Sequence, residues 1–219
     1  MSAAVVIAVD GAAGSGKSTL SRGLATALRL PYVNTGLMYR ALAAAAIRAG
    51  VTPDDEPGLL ELIERLRFTV SDAEPRELLV EGFPPQALTT AEVESTVSAV
   101  ARHPRVRAWM RDRQRAIGAT GAVMEGRDIA LVVFPDARVK LFLRAAANSR
   151  SLRRASERDT HDPAAIAEAM RARDERDART NVLEPAPGSI VLDTDELGIR
   201  ATLETALEIV HDAWPESDA

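Results

Sequence analysis

Gly11-Ala-Ala-Gly-Ser-Gly-Lys-Ser18 is the stretch from which the rest of the chain can be read. It fits G-x-x-x-x-G-K-[ST], with Gly11, Gly16, Lys17 and Ser18 at the fixed positions. Before it, Val5-Val-Ile-Ala-Val9 is a β-branched run suited to a buried strand. After it, Leu20, Leu24 and Leu28 recur at helical spacing. A glycine-rich loop between strand and helix can curl its N–H groups round a phosphate chain, because no Cβ stands in the way. On this reading Gly11, Ala12, Ala13, Gly14, Ser15, Gly16, Lys17, Ser18 and Thr19 cradle a triphosphate. Lys17 reaches the outer phosphates and Ser18 holds Mg²⁺. The bland alternative is a Gly/Ser-rich turn that precedes a helix. The loop specifies what donates a phosphate and is silent on what receives it.

Working outward, further strands are predicted over 31–33, 122–125, 139–143 and 189–193. Helices are predicted over 36–49, about 59–66 with Asp54 as cap, 91–100, 104–117, 147–158, 163–179 and 199–214. Strands alternating with helices predict a three-layer α/β/α fold with a five-stranded parallel sheet and ligands at its carboxyl edge. Phe68–Val70 and Leu78–Val80 break that alternation. They read as an antiparallel hairpin, which makes residues 60–95 an inserted subdomain within one domain spanning 1–219.

Composition narrows the function classes. A net charge of −5 does not point to nucleic acid. The absence of cysteine excludes disulfides and thiolate metal sites and suits a cytoplasmic protein. There is no apolar run of about 18 residues, so no membrane span is expected. The first residues lack the layout of a signal peptide. Lys17 and Lys140 are the only lysines among 27 basic residues. One of the two stands where loop chemistry needs a flexible ammonium rather than a planar fork.

Asn34-Thr-Gly-Leu-Met-Tyr-Arg40 runs from a strand into a helix, where Thr35 and Arg40 can hold an anion. Arg105, Arg107, Arg111, Arg113 and Arg115 form a run that reads, for the most part, as a solvated helix face. Arg150, Arg153 and Arg154 share one face of a helix. His103 and His161 read as surface residues.

The loop, Thr35-Gly-Leu-Met-Tyr-Arg40, Pro104-Arg-Val-Arg107, Glu125-Gly-Arg-Asp128, Val132-Val-Phe-Pro-Asp-Ala137 and Arg173-Asp-Glu-Arg-Asp177 occur in this order over nearly the whole chain. Together they resemble the bacterial cytidylate kinase family of nucleoside-monophosphate kinases. The resemblance implies phosphoryl transfer from ATP, with Mg²⁺, to CMP or dCMP by a monomer. Arg40 and Arg127 match phosphate-binding arginines, and planar guanidinium forks suit phosphate oxygens. Ser98, Arg107 and Asp128 match positions at the cytosine, with Tyr39 and Thr35 lining the same pocket. Arg173, Asp177 and, by a shift of one residue, Arg179 match positions near ribose and phosphates. Arg150, Arg153 and Arg154 match a lid, 147–165, which joins Lys17 and Arg127 in neutralising the transferring group. Glu125 falls where such proteins place an acid near Mg²⁺.

The family usually has Asp where this chain has Asn34 and Glu125, and Gly-Thr at Ala130-Leu131. It carries Ile-Arg-Thr at Leu88-Thr-Thr90 and an arginine at Thr180. Two other readings stay open at this point. One is a P-loop kinase for a different monophosphate or for dephospho-coenzyme A. The other is a nucleotide-binding regulator that has lost acceptor chemistry.

Overall fold

Strand β1 (Val6–Gly11) is buried along its whole length and forms the middle of the sheet. In the computed structural model, which describes residues 5–158, 167–168, 170–172, 174–175 and 183–214, five strands form one parallel sheet. The other four are β2 (Tyr32–Asn34), β5 (Ala122–Gly126), β6 (Val139–Arg144) and β7 (Ile190–Asp193), ordered β2-β5-β1-β6-β7. In register, Val9 faces Glu125 and Asp10 faces Gly126. The donor loop after β1 therefore leaves the sheet next to the Glu125–Asp128 segment.

Side-chain alternation along β1 divides the core in two. Ile7 and Val9 pack with α1 (Lys17–Leu28) and the last helix, α7 (Ile199–Ala213), through Leu20, Leu24, Ala206 and Val210. Ala8 points the other way, into a larger cluster with α2 (Thr35–Ala49), α3 (Glu56–Ile63), α4 (Ala91–Val100) and α5 (Pro104–Gly118). Helix α2 buries Ala41, Ala43, Ala44, Ala45 and Ala46 because it is enclosed on more than one side, and only small side chains allow so close an approach. The hairpin β3 (Phe68–Val70) and β4 (Leu78–Val80) is a separate antiparallel pair whose Phe68, Leu78 and Val80 join this same cluster.

The loop between β3 and β4 also covers the sheet's edge. Tyr32 N–H donates to the Arg76 carbonyl at 2.8 Å, and Tyr32 forms an isolated bridge with Glu77. The Arg22 guanidinium pairs with Glu77 at 2.8 Å and lies 5.0 Å from the Tyr32 ring centroid.

Two local expectations are corrected. Helix α3 begins at Glu56, and its cap is Asp55, whose Oδ1 accepts from Gly58 N–H at 3.1 Å. Asp54 pairs with Arg102 instead. A π-helical turn at Ile129–Val133, which apolar periodicity did not signal, separates β5 from β6. Helix α6 (Ala147–Arg158) lies where expected. Arg173, Asp177 and Arg179, and the side chain of Arg154, fall outside the described residues, as do Thr180 and His161.

Candidate active site

The donor loop is held open by backbone that only glycine tolerates. Gly11 has φ 146°, and a Cβ there would come within 2.5 Å of the Leu143 carbonyl oxygen. Gly14 and Gly16 also have positive φ, and a Cβ on Gly14 would meet Arg150 O and Met170 Cε. Lys17 folds over the loop, its Nζ donating to the Ala12 carbonyl at 2.6 Å. Ser15 is fully buried with no partner for its Oγ, so one hydroxyl stays inside the curl.

Beside the loop stands Glu125. Its Oε1 accepts from Ser18 Oγ at 2.9 Å and from Tyr32 OH at 2.6 Å, while its buried Oε2 has no partner. Burial and the adjacent carboxylate raise the Tyr32 phenol far above its ordinary value, so it stays a donor. Asn34 Nδ2 donates to Tyr32 OH at 3.3 Å. A serine hydroxyl and a buried carboxylate with one free oxygen are the oxygen donors a hard divalent cation takes, so these residues fit Mg²⁺.

The segment after Glu125 is fixed from several sides. Thr35 Oγ1 donates to the Glu125 carbonyl at 2.8 Å. A Cβ on Gly126 would lie 2.7 Å from Ile129 Cδ1 and 2.8 Å from Thr35 Oγ1. Arg127 Nη1 donates to the Gly11 carbonyl at 2.8 Å, which brings this arginine onto the glycine-rich loop. Arg107 Nη2 pairs with Asp128 Oδ2 at 2.5 Å.

Asp128 and Arg107 line a small pocket with Tyr39, Arg111, Gln114, Val132 and Val133. Burial pushes the Tyr39 phenol up to about 12, and its hydroxyl bonds with Gln114, itself 3% exposed. Ser98 is buried on α4. Arg40 sits 3.5 Å from Glu94 on the same helix.

Of the α5 arginines, Arg105, Arg113 and Arg115 are exposed, as expected for most of that run, whereas Arg107 and Arg111 are half-buried. Arg115 donates through Nε and Nη2 to the carbonyls of Val133 and Val132, both at 2.8 Å. Arg113 donates to the Phe68 carbonyl. Arg111 lines the pocket, its buried Nε making no hydrogen bond and lying 3.7 Å from Asp112 Oδ1. Gln114 and Arg111 lie one and two turns from the C-terminal end of α5 and were missed for different reasons. Gln114 carries no charge to attract notice, and Arg111 was hidden among like neighbours.

Helix α6 brings Arg150 onto the loop. Its Nη1 donates to the Ala13 carbonyl at 3.1 Å and pairs with Asp174 at 2.7 Å. Arg153 instead reaches Thr194, donating to its Oγ1 at 2.9 Å and its carbonyl oxygen at 2.7 Å. Thr194 Oγ1 donates in turn to the Ser15 carbonyl at 3.2 Å, so Arg153 meets the loop from behind. Among the described residues, no group of three or more His, Cys, Asp or Glu could hold a metal, and no helix is long and apolar enough to cross a membrane.

A parallel sheet with a glycine-rich, Lys–Ser loop after its central strand, arginines converging on that loop and a separate polar pocket define a P-loop kinase. A solved structure of an uncharacterized protein from Eubacterium ventriosum shares the fold, at TM-score 0.51 and 11% identity over 95% of this chain and 98% of that one. The model of the family described as Cytidylate kinase matches residues 7–212, and the chain belongs to that family. Cytidylate kinase from Thermus thermophilus is 44% identical over 86% of this chain and 90% of its own length. Cytidylate kinase from Chloroflexus aggregans is 44% identical over 96% and 94%.

Proposed function

We propose that this protein transfers the γ-phosphoryl group of ATP to CMP or dCMP, giving ADP and CDP or dCDP. The observation that carries this reading is the position of Arg127-Asp128. One residue touches the donor loop and the next lines the pocket, so a nucleotide seated on both would present its phosphate to the loop.

The acceptor phosphate is a dianion whose oxygens suit the planar forks of Arg40 and Arg127. It needs no strong general base, so catalysis rests on alignment and on charge compensation. The loop N–H groups and Lys17 hold the β- and γ-phosphates, and Arg150 is close enough to add positive charge as the group passes. Ser18 and Glu125 would hold Mg²⁺, which supplies charge neutralisation between those phosphates.

Cytosine has an exocyclic amine beside two ring acceptors. Asp128 and Ser98 accept from the amine while Arg107 donates to N3 and O2. Uracil has a carbonyl in place of the amine and would leave both acceptors facing lone pairs. Each arginine is paired within the protein, with Glu94, Asp128, Asp174 or a backbone carbonyl, so substrate exchanges one set of partners for another.

The test is ADP production with CMP, dCMP, UMP and AMP in turn. Turnover that is fast with CMP and dCMP and slow with the others is expected. A strong preference for UMP or AMP, or ATP binding without turnover, overturns the reading.

A further inference from the structure

Asp10 is 4% exposed, lies one residue before the donor loop and belongs to neither the loop motif nor the set of arginine partners. It points to the same face of the sheet as Ala8, towards the segment that follows β5. Its Oδ1 accepts from Ile129 N–H at 2.9 Å and its Oδ2 from Ala130 N–H at 2.8 Å. These are the first two N–H groups of the π-turn, which have no partner inside it. A carboxylate on the central strand therefore caps a turn that begins directly after Asp128.

We propose that Asp10 is a positioning residue for phosphoryl transfer: it fixes Arg127 and Asp128 relative to the donor loop by holding the turn they run into. This rests on the acceptor reading above. The constraint is bilateral. On one side Arg127 is tied to Gly11, the residue after Asp10, and on the other Asp10 itself is tied to residues 129 and 130. Arg127 and Asp128 are thus bracketed between two attachments to the same two residues of β1. The far end of the turn is held by Arg115, which donates to the Val132 and Val133 carbonyls. Removing the attachment at Asp10 leaves the turn free to shift, and a shift of about 1 Å at a reacting group is enough to cost about a hundredfold in rate.

Core packing alone does not account for a carboxylate here. Burial pushes its pKa up to about 6, against the two N–H bonds that favour the ion, and Asp128 raises it further while Lys17 lowers it. The ionised group is an expensive occupant of this site, and what it supplies is two acceptors aimed at two adjacent donors.

The test uses the full chain with Asp10→Asn and, separately, Arg115→Ala. The asparagine keeps one acceptor and sets an N–H₂ against the second backbone N–H. ATP affinity without CMP, kcat, and KM for CMP are measured on each, with thermal unfolding as the check on folding. Asp10→Asn is expected to bind ATP within about twofold of the unsubstituted protein, to lose tenfold or more in kcat and to raise KM for CMP. Arg115→Ala, an exposed change, is expected to move kcat in the same direction by a smaller factor. Unchanged kcat and KM in a folded Asp10→Asn protein overturn the proposal, and so does an equal loss of ATP affinity and kcat. If Asp10→Asn does not fold, Arg115→Ala decides, and kinetics like those of the unsubstituted protein then overturn it. Absence of CMP turnover in the unsubstituted protein is a different failure, that of the acceptor reading.

Discussion

Asp128 has two duties that pull in different directions. It neutralises Arg107 across 2.5 Å, and under the proposed function it would also offer an acceptor to the incoming base. A carboxylate can do both, because it has two oxygens and about four lone-pair sites. Asp128→Asn keeps the shape but turns one oxygen into a donor that matches uracil's carbonyl. Steady-state kinetics on this variant are expected to show a lower kcat/KM for CMP and a CMP-over-UMP preference narrowed by about 10- to 100-fold, the equivalent of roughly 1–3 kcal/mol for a mispaired polar group. Asp10 carries a prediction of its own. Its folded pKa of about 6 lies above the ordinary 3.8, so its ionised form costs stability at neutral pH. Its contribution is fully present below the unfolded pKa and is lost as pH rises through about 6. Urea unfolding at pH 4.5 and 7.5 should show stability falling across that interval by an amount on the order of 2 kcal/mol more than in Asp10→Asn.

At the level of elements, the turn Ile129–Val133 follows Arg127 and Asp128 directly and is held by Asp10 on β1. Gly126→Ala tests how tightly it is seated. The added methyl would meet Ile129 Cδ1 and Thr35 Oγ1 at under 3 Å, with no open space on that side. A loss of about 1–3 kcal/mol in unfolding free energy is expected, together with a fall in kcat, since relieving the clash displaces Arg127. This turn is also where reading from sequence stopped. The strands were legible because burial on both faces leaves runs such as Val6-Ile-Ala-Val9 with nothing polar to interrupt them. The loop was legible because its glycines answer a backbone requirement. The turn has neither mark. Ile129-Ala-Leu-Val-Val133 is an apolar run with no alternation, too short for helical periodicity, and its partners Asp10 and Arg115 lie 119 and 18 residues away from the groups they bind. Gln114 was hidden in the same way, since its role depends on Tyr39 from another helix.

Across the whole molecule, the residues proposed for the acceptor come from α2, α4, α5 and the segment after β5, whereas those proposed for the donor lie on the loop and α6. The elements from Glu56 to Val80 share a core with α2, so movement of that region would have to carry α2 or slide against it. Hydrogen exchange reads this directly. ATP and CMP together are expected to slow exchange in α6 and in residues 56–100 by more than either alone, because closure needs both charges in place. Equal protection by ATP alone would mean that the acceptor side does not take part in closing.

The loop that crosses β2 has a further consequence, for how the molecule behaves in a crowd of its own copies. A sheet edge is a row of unsatisfied N–H and C=O groups that another chain can extend. Here β2 is only three residues long, and the Tyr32 N–H is already used by Arg76, with Glu77 bridged beside it and fastened by Arg22. Stitching a loop along the edge blocks strand addition on that side without lengthening the sheet. A chain shortened across 71–77 would keep the donor loop and its neighbours but expose a β-branched, aromatic edge, and self-association is the hazard to look for in such a variant.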